Sequence, residues 1–342
     1  MADHPIDERV SIIVVNFNGG EKLLRCLDSM RATAPDAELI VVDNASTDGS
    51  PRLAERDGVR LLLRPENAGY AAGLNAGANA AGGDVLVFCN MDIVAREGWL
   101  SPLIACLRRL PDAGAVNPLI LLSDGGHVNA AGQNLHVTGL GFNRGLDDSV
   151  AAYDREPFEV AGIQGAAYAM RRAVYEEIGG FDVTGFLYHE DVNLSWLLRL
   201  AGYRLYCVPR ARVEHDYFLS MYPDKFHLLE RNRVAMLLAY LAPRSIALLA
   251  PFLLVTELLA WGYSLLRGPR FLLAKWSSYR WVVRKRKVIA ERRSVARRLR
   301  RVSDRQLLRA FRFRYDWRQF GVLARETGES RRKPAEALPI SR

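Results

Sequence analysis

Gly83-Asp84-Val85-Leu86-Val87-Phe88-Cys89-Asn90-Met91-Asp92 is a short, almost wholly apolar run that ends in Asn-Met-Asp. A buried strand with a carboxylate at its C-terminal end sets a charge at the mouth of a parallel sheet, where open α/β sheets bind their ligands. The flanking chain supplies such a sheet. Residues 10–15 are a β-branched run, the mark of a central strand. Residues 21–31 put Leu23, Leu24, Leu27 and Met30 on one helical face. Residues 38–43 form a second strand ending in an acid, and residues 59–64 a third. Residues 68–81 make a helix of small residues with Gly69, Gly73 and Gly77 at every fourth position, fit for close packing on a sheet. Residues 99–110 are a further helix. Strand and helix alternate with short loops, which predicts an α/β, doubly wound, mostly parallel sheet.

Residues 117–159 are rich in Gly, Asp and Asn and predict irregular strands and loops over the sheet edge. Regularity returns with helices at 171–178 and 191–201, the second closed by Gly202. A strand at 204–208 and a helix at 225–240 follow.

Charge divides the chain. Residues 1–240 hold 22 Lys and Arg against 31 Asp and Glu, whereas residues 241–342 hold 25 against 7. An acidic body with a basic extension meets two kinds of partner. Residues 245–266 are nearly all apolar, interrupted by Pro251 and Glu257. That length suits an interfacial or hairpin-like helix and could just span a bilayer; a buried helix is the plain alternative. Residues 280–301 then carry 11 Lys and Arg with Glu291 as the one acid, a signature of anionic lipid headgroups. No nucleic-acid-binding motif accompanies them, which disfavours nucleic acid. The expected division is 1–240 catalytic, 241–302 a helical membrane-associating region, and 303–342 a basic tail whose end is disordered. Scattered Cys26, Cys89, Cys106 and Cys207, without a CxxC pair, predict a reducing compartment. The polar N-terminus has no signal-peptide pattern.

Gly19-Gly20 does not make GxGxxG, and no GxxxxGK[ST] occurs, which argues against a dinucleotide dehydrogenase or a P-loop enzyme. Instead, acids stand at strand ends: Asp43 and Asp92. A carboxylate there can hold a divalent cation that binds a diphosphate, or accept hydrogen bonds from a ribose or a pyrimidine imide.

Four ordered motifs carry a resemblance. They are 10–19 (VSIIVVNFNG), 40–50 (IVVDNASTDGS), 65–77 (PENAGYAAGLNAG) and Asn90-Met91-Asp92, followed by Gly179-Gly180-Phe181-Asp182, 186–194 (FLYHEDVNL) and Ala201-Gly202-Tyr203-Arg204. Over about residues 10–240 the chain resembles family 2 glycosyltransferases of the GT-A fold, most closely the rhamnosyltransferase-like branch of cell-surface polysaccharide synthesis. The resemblance implies that Asp43 binds the base or ribose, with the backbone around Val15, Asn16 and Asn18, and it puts Asn67, Asn75, Asn90 and Gly165 among the nucleotide-sugar contacts. Asp92, with His215, would ligate Mg2+ or Mn2+ on the diphosphate. Asn90 stands where the family's motif has a first acid, so one fewer charge serves the metal. Asp191 aligns with the catalytic base and Glu190 would hold the acceptor or orient the helix start; Asp191 is otherwise only a helix N-cap. For Gly165 packing alone is the alternative, and for His215 a solvated loop. Arg231 and Arg233 match a motif that would touch a diphosphate or the membrane, or else form a solvated helix face.

The expected function is inverting, metal-dependent transfer of a sugar, rhamnose foremost, from a nucleotide-diphospho-sugar to a glycan or polyprenyl-diphosphate-linked acceptor. The expected place is the cytoplasmic face of the cell membrane, peripheral or monotopic, with a single span possible. The alternatives are another donor (UDP-Gal, UDP-Glc or a GDP-sugar) and a catalytically silent nucleotide-sugar-binding scaffold, favoured only by Asn90.

Overall fold

The computed structural model describes residues 8–216 and 220–325. The polar N-terminus and the end expected to be disordered lie outside the described residues. β1 (Val10–Asn16), α1 (Gly20–Thr33), β2 (Glu38–Asp43), α2 (Pro51–Ala54), β3 (Val59–Leu63), α3 (Tyr70–Ala80) and β4 (Val85–Asn90) build the first half. Their strands lie in the order β3-β2-β1-β4, all parallel. Every residue of β1 is buried, Ile13 and Val15 in one core and Ile12 and Val14 in the other, which is why its sequence shows no polar alternation. The glycine face of α3 lies on this strand. A Cβ on Gly77 would fall 2.3 Å from Ile13 Cγ2, and one on Gly73 2.8 Å from Val15 Cγ1.

The second half comprises β5 (Ile93–Ala95), α4 (Leu100–Arg109), β6 (Ala113–Leu122), β7 (Val128–Ala130), β8 (Gln133–Leu135), β9 (Gly141–Asn143), β10 (Phe158–Glu159), β11 (Ala167–Arg171), α5 (Arg172–Ile178), α6 (Glu190–Leu200) and β12 (Arg204–His215). The sheet continues from β4 through β11, β6 and β12 to β10. β11 runs against β4 and β6, and β10 against β12; the other strands of this path share one direction. The sheet is therefore mixed but mostly parallel.

One expectation fails here. The start of the 117–159 stretch is not an edge loop but part of β6, a central strand buried in nine of its ten residues. Asn117 and Pro118 look like breakers. The Asn117 amide donates to the carbonyls of Gln164 (3.0 Å) and Ala167 (2.6 Å) and accepts from Gln164 N–H (2.8 Å), so its polar groups are satisfied inside the sheet. From β7 to β10 the chain is indeed short strands and loops. β12 also runs seven residues beyond the expected end, to His215.

The extension is helical: α7 (Pro223–Tyr240), α8 (Pro243–Leu248), α9 (Ala250–Arg267), α10 (Pro269–Arg284), α11 (Arg286–Leu299), α12 (Asp304–Arg309) and α13 (Trp317–Arg325). It joins the main core through Ile289, Ala296, Leu307 and Phe311. No helix of the described residues is long and apolar enough to cross a membrane. Pro251 sits in the first turn of α9, where its missing N–H costs nothing. Glu257 points inward. With buried Glu230, Arg233 and Lys275 the partly buried Glu257 forms a quartet: Arg233 Nη2 lies 2.8 Å from each glutamate, and Lys275 Nζ contacts Glu230 and lies 2.8 Å from Glu257 Oε2. Arg233 is thus spent inside the fold. Arg231 is also buried, its guanidinium 4.6 Å over the Trp281 ring. Neither forms a solvated helix face.

Candidate active site

Strand register brings the site together. Asn16 pairs with Asp43 and Val15 with Asn90, so two polar residues share the last row of the C-terminal edge and Asn90 stands one row before it. The next residues, Met91 and Asp92, lead into β5, whose Ile93 pairs with His215 at the end of β12. His215 Nε2 thereby stands 3.3 Å from Asp92 Oδ1, with both side chains largely buried. On its other side, His215 Nδ1 meets Asn129 Oδ1 at 3.2 Å. An acceptor at Nδ1 keeps the proton there and leaves Nε2 its lone pair, the form a metal needs.

The donor set suits a hard divalent cation. Asp92 Oδ1 is buried with no hydrogen-bond partner among the described residues and faces His215 Nε2, so a cation between the two would offset its desolvation. Among the described residues no group of three or more His, Cys, Asp and Glu side chains forms a metal cage. Two protein ligands are what Mg2+-type sites offer when phosphates complete the shell.

Across the cleft, α6 begins with Glu190 and Asp191. Its N-cap is His189 in the left-handed region, so Asp191 is not the capping residue. Asp191 Oδ2 accepts from Gln133 Nε2 (2.9 Å) and Gly165 N–H (3.0 Å), and Oδ1 from Val192 N–H (2.8 Å). Gly165 faces the carboxylate: its added Cβ would fall 3.2 Å from Asp191 Oδ2. Burial pushes Asp191 up, against hydrogen bonds that favour its charged form. Burial and the Asp191 charge push Glu190 up to about 8, and Glu190 Oε2 is buried without a hydrogen-bond partner among the described residues. Burial with the neighbouring carboxylate favours the protonated form of Glu190, while the hydrogen bonds to Asp191 favour its charged form.

Tyr70 joins the two sides. Its hydroxyl donates to Asn90 Oδ1 at 2.6 Å. Burial, then Glu190, Cys89, Asp92 and Asp191, push its phenol well above the usual range.

Other expected residues make hydrogen bonds within the protein. The Asp43 carboxylate, 2% exposed, accepts from Asn16 Nδ2 (2.7 Å), Ser46 Oγ (2.6 Å) and Ser46 N–H (2.9 Å). Asn18 ties the first loop to the second through Ser46 and Thr47, and Asn67 Oδ1 closes a turn on Gly69 N–H. Asn75 is not brought to the cleft's reacting groups: its amide exchanges 2.9 Å hydrogen bonds with both backbone groups of Phe181. Tyr70, Asn129 and Gln133 were missed by sequence reasoning. Of these only Tyr70 lies in a recognised motif; the others act over 86 and 58 residues of separation.

The family model for glycosyl transferase family 2 matches residues 11–179. An N-acetylglucosaminyl-diphospho-decaprenol L-rhamnosyltransferase of Mycobacterium tuberculosis is 31% identical over 229 residues, 60% of this chain and 75% of that one. The chain is a family 2 glycosyltransferase. The pre-mycofactocin glycosyltransferase of the same organism is also 31% identical, over 62% of this chain and 44% of its own length. Among solved structures, GalNAc-T7 with UDP, GalNAc and Mn2+ superposes with a TM-score of 0.56 at 20% identity, over 68% of this chain and about half (49%) of that one. The mannosyltransferase PcManGT from Pyrobaculum calidifontis with GDP-Man and Mn2+ superposes at 0.52, also 20% identical, over 85% and 86%. These structural likenesses establish the GT-A fold of the glycosyltransferase.

Proposed function

We propose that this glycosyltransferase moves rhamnose from a nucleotide-diphospho-sugar, with inversion, to a hydroxyl of a polyprenyl-diphosphate-linked glycan in cell-surface polysaccharide synthesis. One observation carries the mechanism. Tyr70 donates its hydroxyl to Asn90, on the strand that leads to Asp92, and its backbone N–H to Phe186 O, in the turn that leads to Glu190 and Asp191, so one residue ties the two sides together. The sugar and the acceptor class rest on the relative whose name specifies L-rhamnose and a decaprenol-linked N-acetylglucosaminyl diphosphate.

In a single displacement, the acceptor oxygen bonds to the anomeric carbon as Asp191 takes its proton. The bond from that carbon to the diphosphate breaks, and its electron pair leaves on the phosphate oxygen. Mg2+ or Mn2+ on Asp92 and His215 would supply charge to the departing diphosphate. Asp43 and the backbone from Val15 to Asn18 form the nucleoside side, and protonated Glu190 orients the acceptor.

The same reading puts the protein on the cytoplasmic face of the membrane, held peripherally. Leu254, Leu258 and Leu265 recur on one face of α9 with 61%, 64% and 69% exposure. Leu266 is exposed at the end of α9 and Leu273, Trp276 and Val283 on α10, and basic α11 follows. Apolar side chains beside Arg and Lys match an anionic interface, at about 1 kcal/mol per cation near the surface.

The test is turnover of dTDP-rhamnose, UDP-sugars and GDP-sugars with a polyprenyl-diphosphate-linked glycan. The expected result is Mg2+- or Mn2+-dependent nucleoside diphosphate release from dTDP-rhamnose, with an inverted anomer by NMR. Retention of configuration, or full activity of Asp92→Ala in EDTA, overturns the mechanism; preference for a UDP- or GDP-sugar overturns the donor. For the membrane, Leu258→Ser with Trp276→Ser should lose sedimentation with phosphatidylglycerol vesicles, and unchanged sedimentation defeats that part.

A further inference from the structure

Asp191 enters the cleft from an awkward turn. Phe186, Tyr188 and His189 all have positive φ, at 64°, 63° and 72°. Residues with side chains avoid this region unless their surroundings hold them there. What holds this turn comes from α7, outside the sheet. Asn232, 5% exposed, points its Nδ2 at three carbonyls of the turn: Gly185 (3.0 Å), Leu187 (3.2 Å) and Tyr188 (2.9 Å). Arg231 Nη2 adds a hydrogen bond to Gly185 O at 3.2 Å. Gly185 leaves room for this, since a Cβ there would come 3.1 Å from Asn232 Nδ2. Two further contacts fix the turn from other sides: Tyr70 N–H donates to Phe186 O (2.8 Å), and His189 Nε2 meets Gly139 O (2.8 Å). Neither engages Gly185, Leu187 or Tyr188.

We propose that Asn232 is a positioning residue for the catalytic base. It rests on Asp191 being that base. Asn232 touches no reacting atom; its amide N–H2 clamps the backbone that sets where the base points. Three carbonyl oxygens facing one atom demand a donor with two hydrogens. Aspartate has the same shape but no donor, and its charge would repel all three carbonyls.

The experiment compares Asn232→Ala and Asn232→Asp with wild type and Asp191→Asn, reading kcat, donor KM, nucleotide affinity and melting temperature. Misplacing a catalytic group by about 1 Å costs on the order of 10²-fold in rate, so Asn232→Ala should lose about that in kcat while donor KM stays within about twofold. Asn232→Asp should lose more than Asn232→Ala. Gly185→Ala, which crowds the amide from the other side, should lower kcat in the same direction and supplies the test if Asn232→Asp fails to fold. Wild-type kcat in Asn232→Ala overturns the proposal, as does a kcat loss matched by an equal rise in donor KM. If Asp191→Asn is inactive while Asn232→Ala is normal, only the positioning role fails. If Asp191→Asn is fully active, the base assignment fails first.

Discussion

Glu190→Gln separates the two carboxyls at the start of α6. Glutamine has the shape of a protonated glutamic acid, and burial with the neighbouring Asp191 charge holds Glu190 protonated up to about pH 8. At pH 7 the variant should therefore keep kcat within a few-fold of wild type, because the proposed base, Asp191, is untouched. The stability profile should change. An unfolded glutamate loses its proton near 4.5, whereas the folded one keeps it to about 8. Between those values the native state binds more protons than the unfolded chain, so wild-type stability falls as pH rises. The slope is roughly 1.4 kcal/mol per pH unit at most, or an upper bound of about 5 kcal/mol across the window. Below 4.5 the group contributes no slope, and above 8 the loss is complete. Urea unfolding from pH 5 to 9 reads this directly: the gap between Glu190→Gln and wild type should widen with pH in favour of the variant and level off above 8. A pH-independent gap would show that Glu190 is not held neutral. An inactive Glu190→Gln with intact nucleotide binding would move the base from Asp191 to Glu190.

Other perturbations test the supporting structure. Asn129→Ala frees the His215 tautomer and should weaken Mn2+ binding in the presence of nucleoside diphosphate about 10- to 100-fold, measured by calorimetry; unchanged affinity removes Asn129 from the site. Lys275→Met leaves Glu230 and Glu257 sharing Arg233 and should cost about 3–5 kcal/mol in chemical unfolding, with much of it recovered in Lys275→Met/Glu257→Gln, where charge balance returns. Gly69→Ala should lower both melting temperature and kcat: Gly69 has φ +93°, and its Cβ would fall 2.2 Å from Phe186 O, backbone of the turn before the base.

The parts legible in the sequence were those written in local period. β1, β2, β4 and the helices between them announce themselves by unbroken apolar runs or by one-sided faces, and the acids at strand ends follow from the same pattern. The juxtaposition of Asp92 with His215 needed the motif resemblance, because the β5–β12 register that creates it spans more than a hundred residues. β6 was hidden because Asn117 and Pro118 carry local breaker signals that tertiary hydrogen bonds override. Arg233 was hidden for a related reason: an arginine on a helix reads as solvated, and it is Glu230, Glu257 and the Thr138 carbonyl that make its burial tolerable. Gln133 left no trace, since a hydrogen bond to Asp191 across 58 residues has no sequence period.

The asparagine at position 90 follows from the charge already in the cleft. After burial, Glu190, Asp92 and Asp191 all push the Tyr70 phenol up, so three carboxyls stand near one group. A further carboxylate at position 90 would add to their charge and push neighbouring groups toward protonation, which disfavours a base that has to be ionised. A neutral amide avoids this, and the Tyr70 hydroxyl occupies its oxygen. The consequence falls on the metal. With Asp92 and His215 as its protein ligands, a divalent cation would be held weakly without the charge of the donor's phosphates. Bound together with the donor, it would supply positive charge to the departing diphosphate and would favour the ionised form of Asp191 as the acceptor hydroxyl is deprotonated.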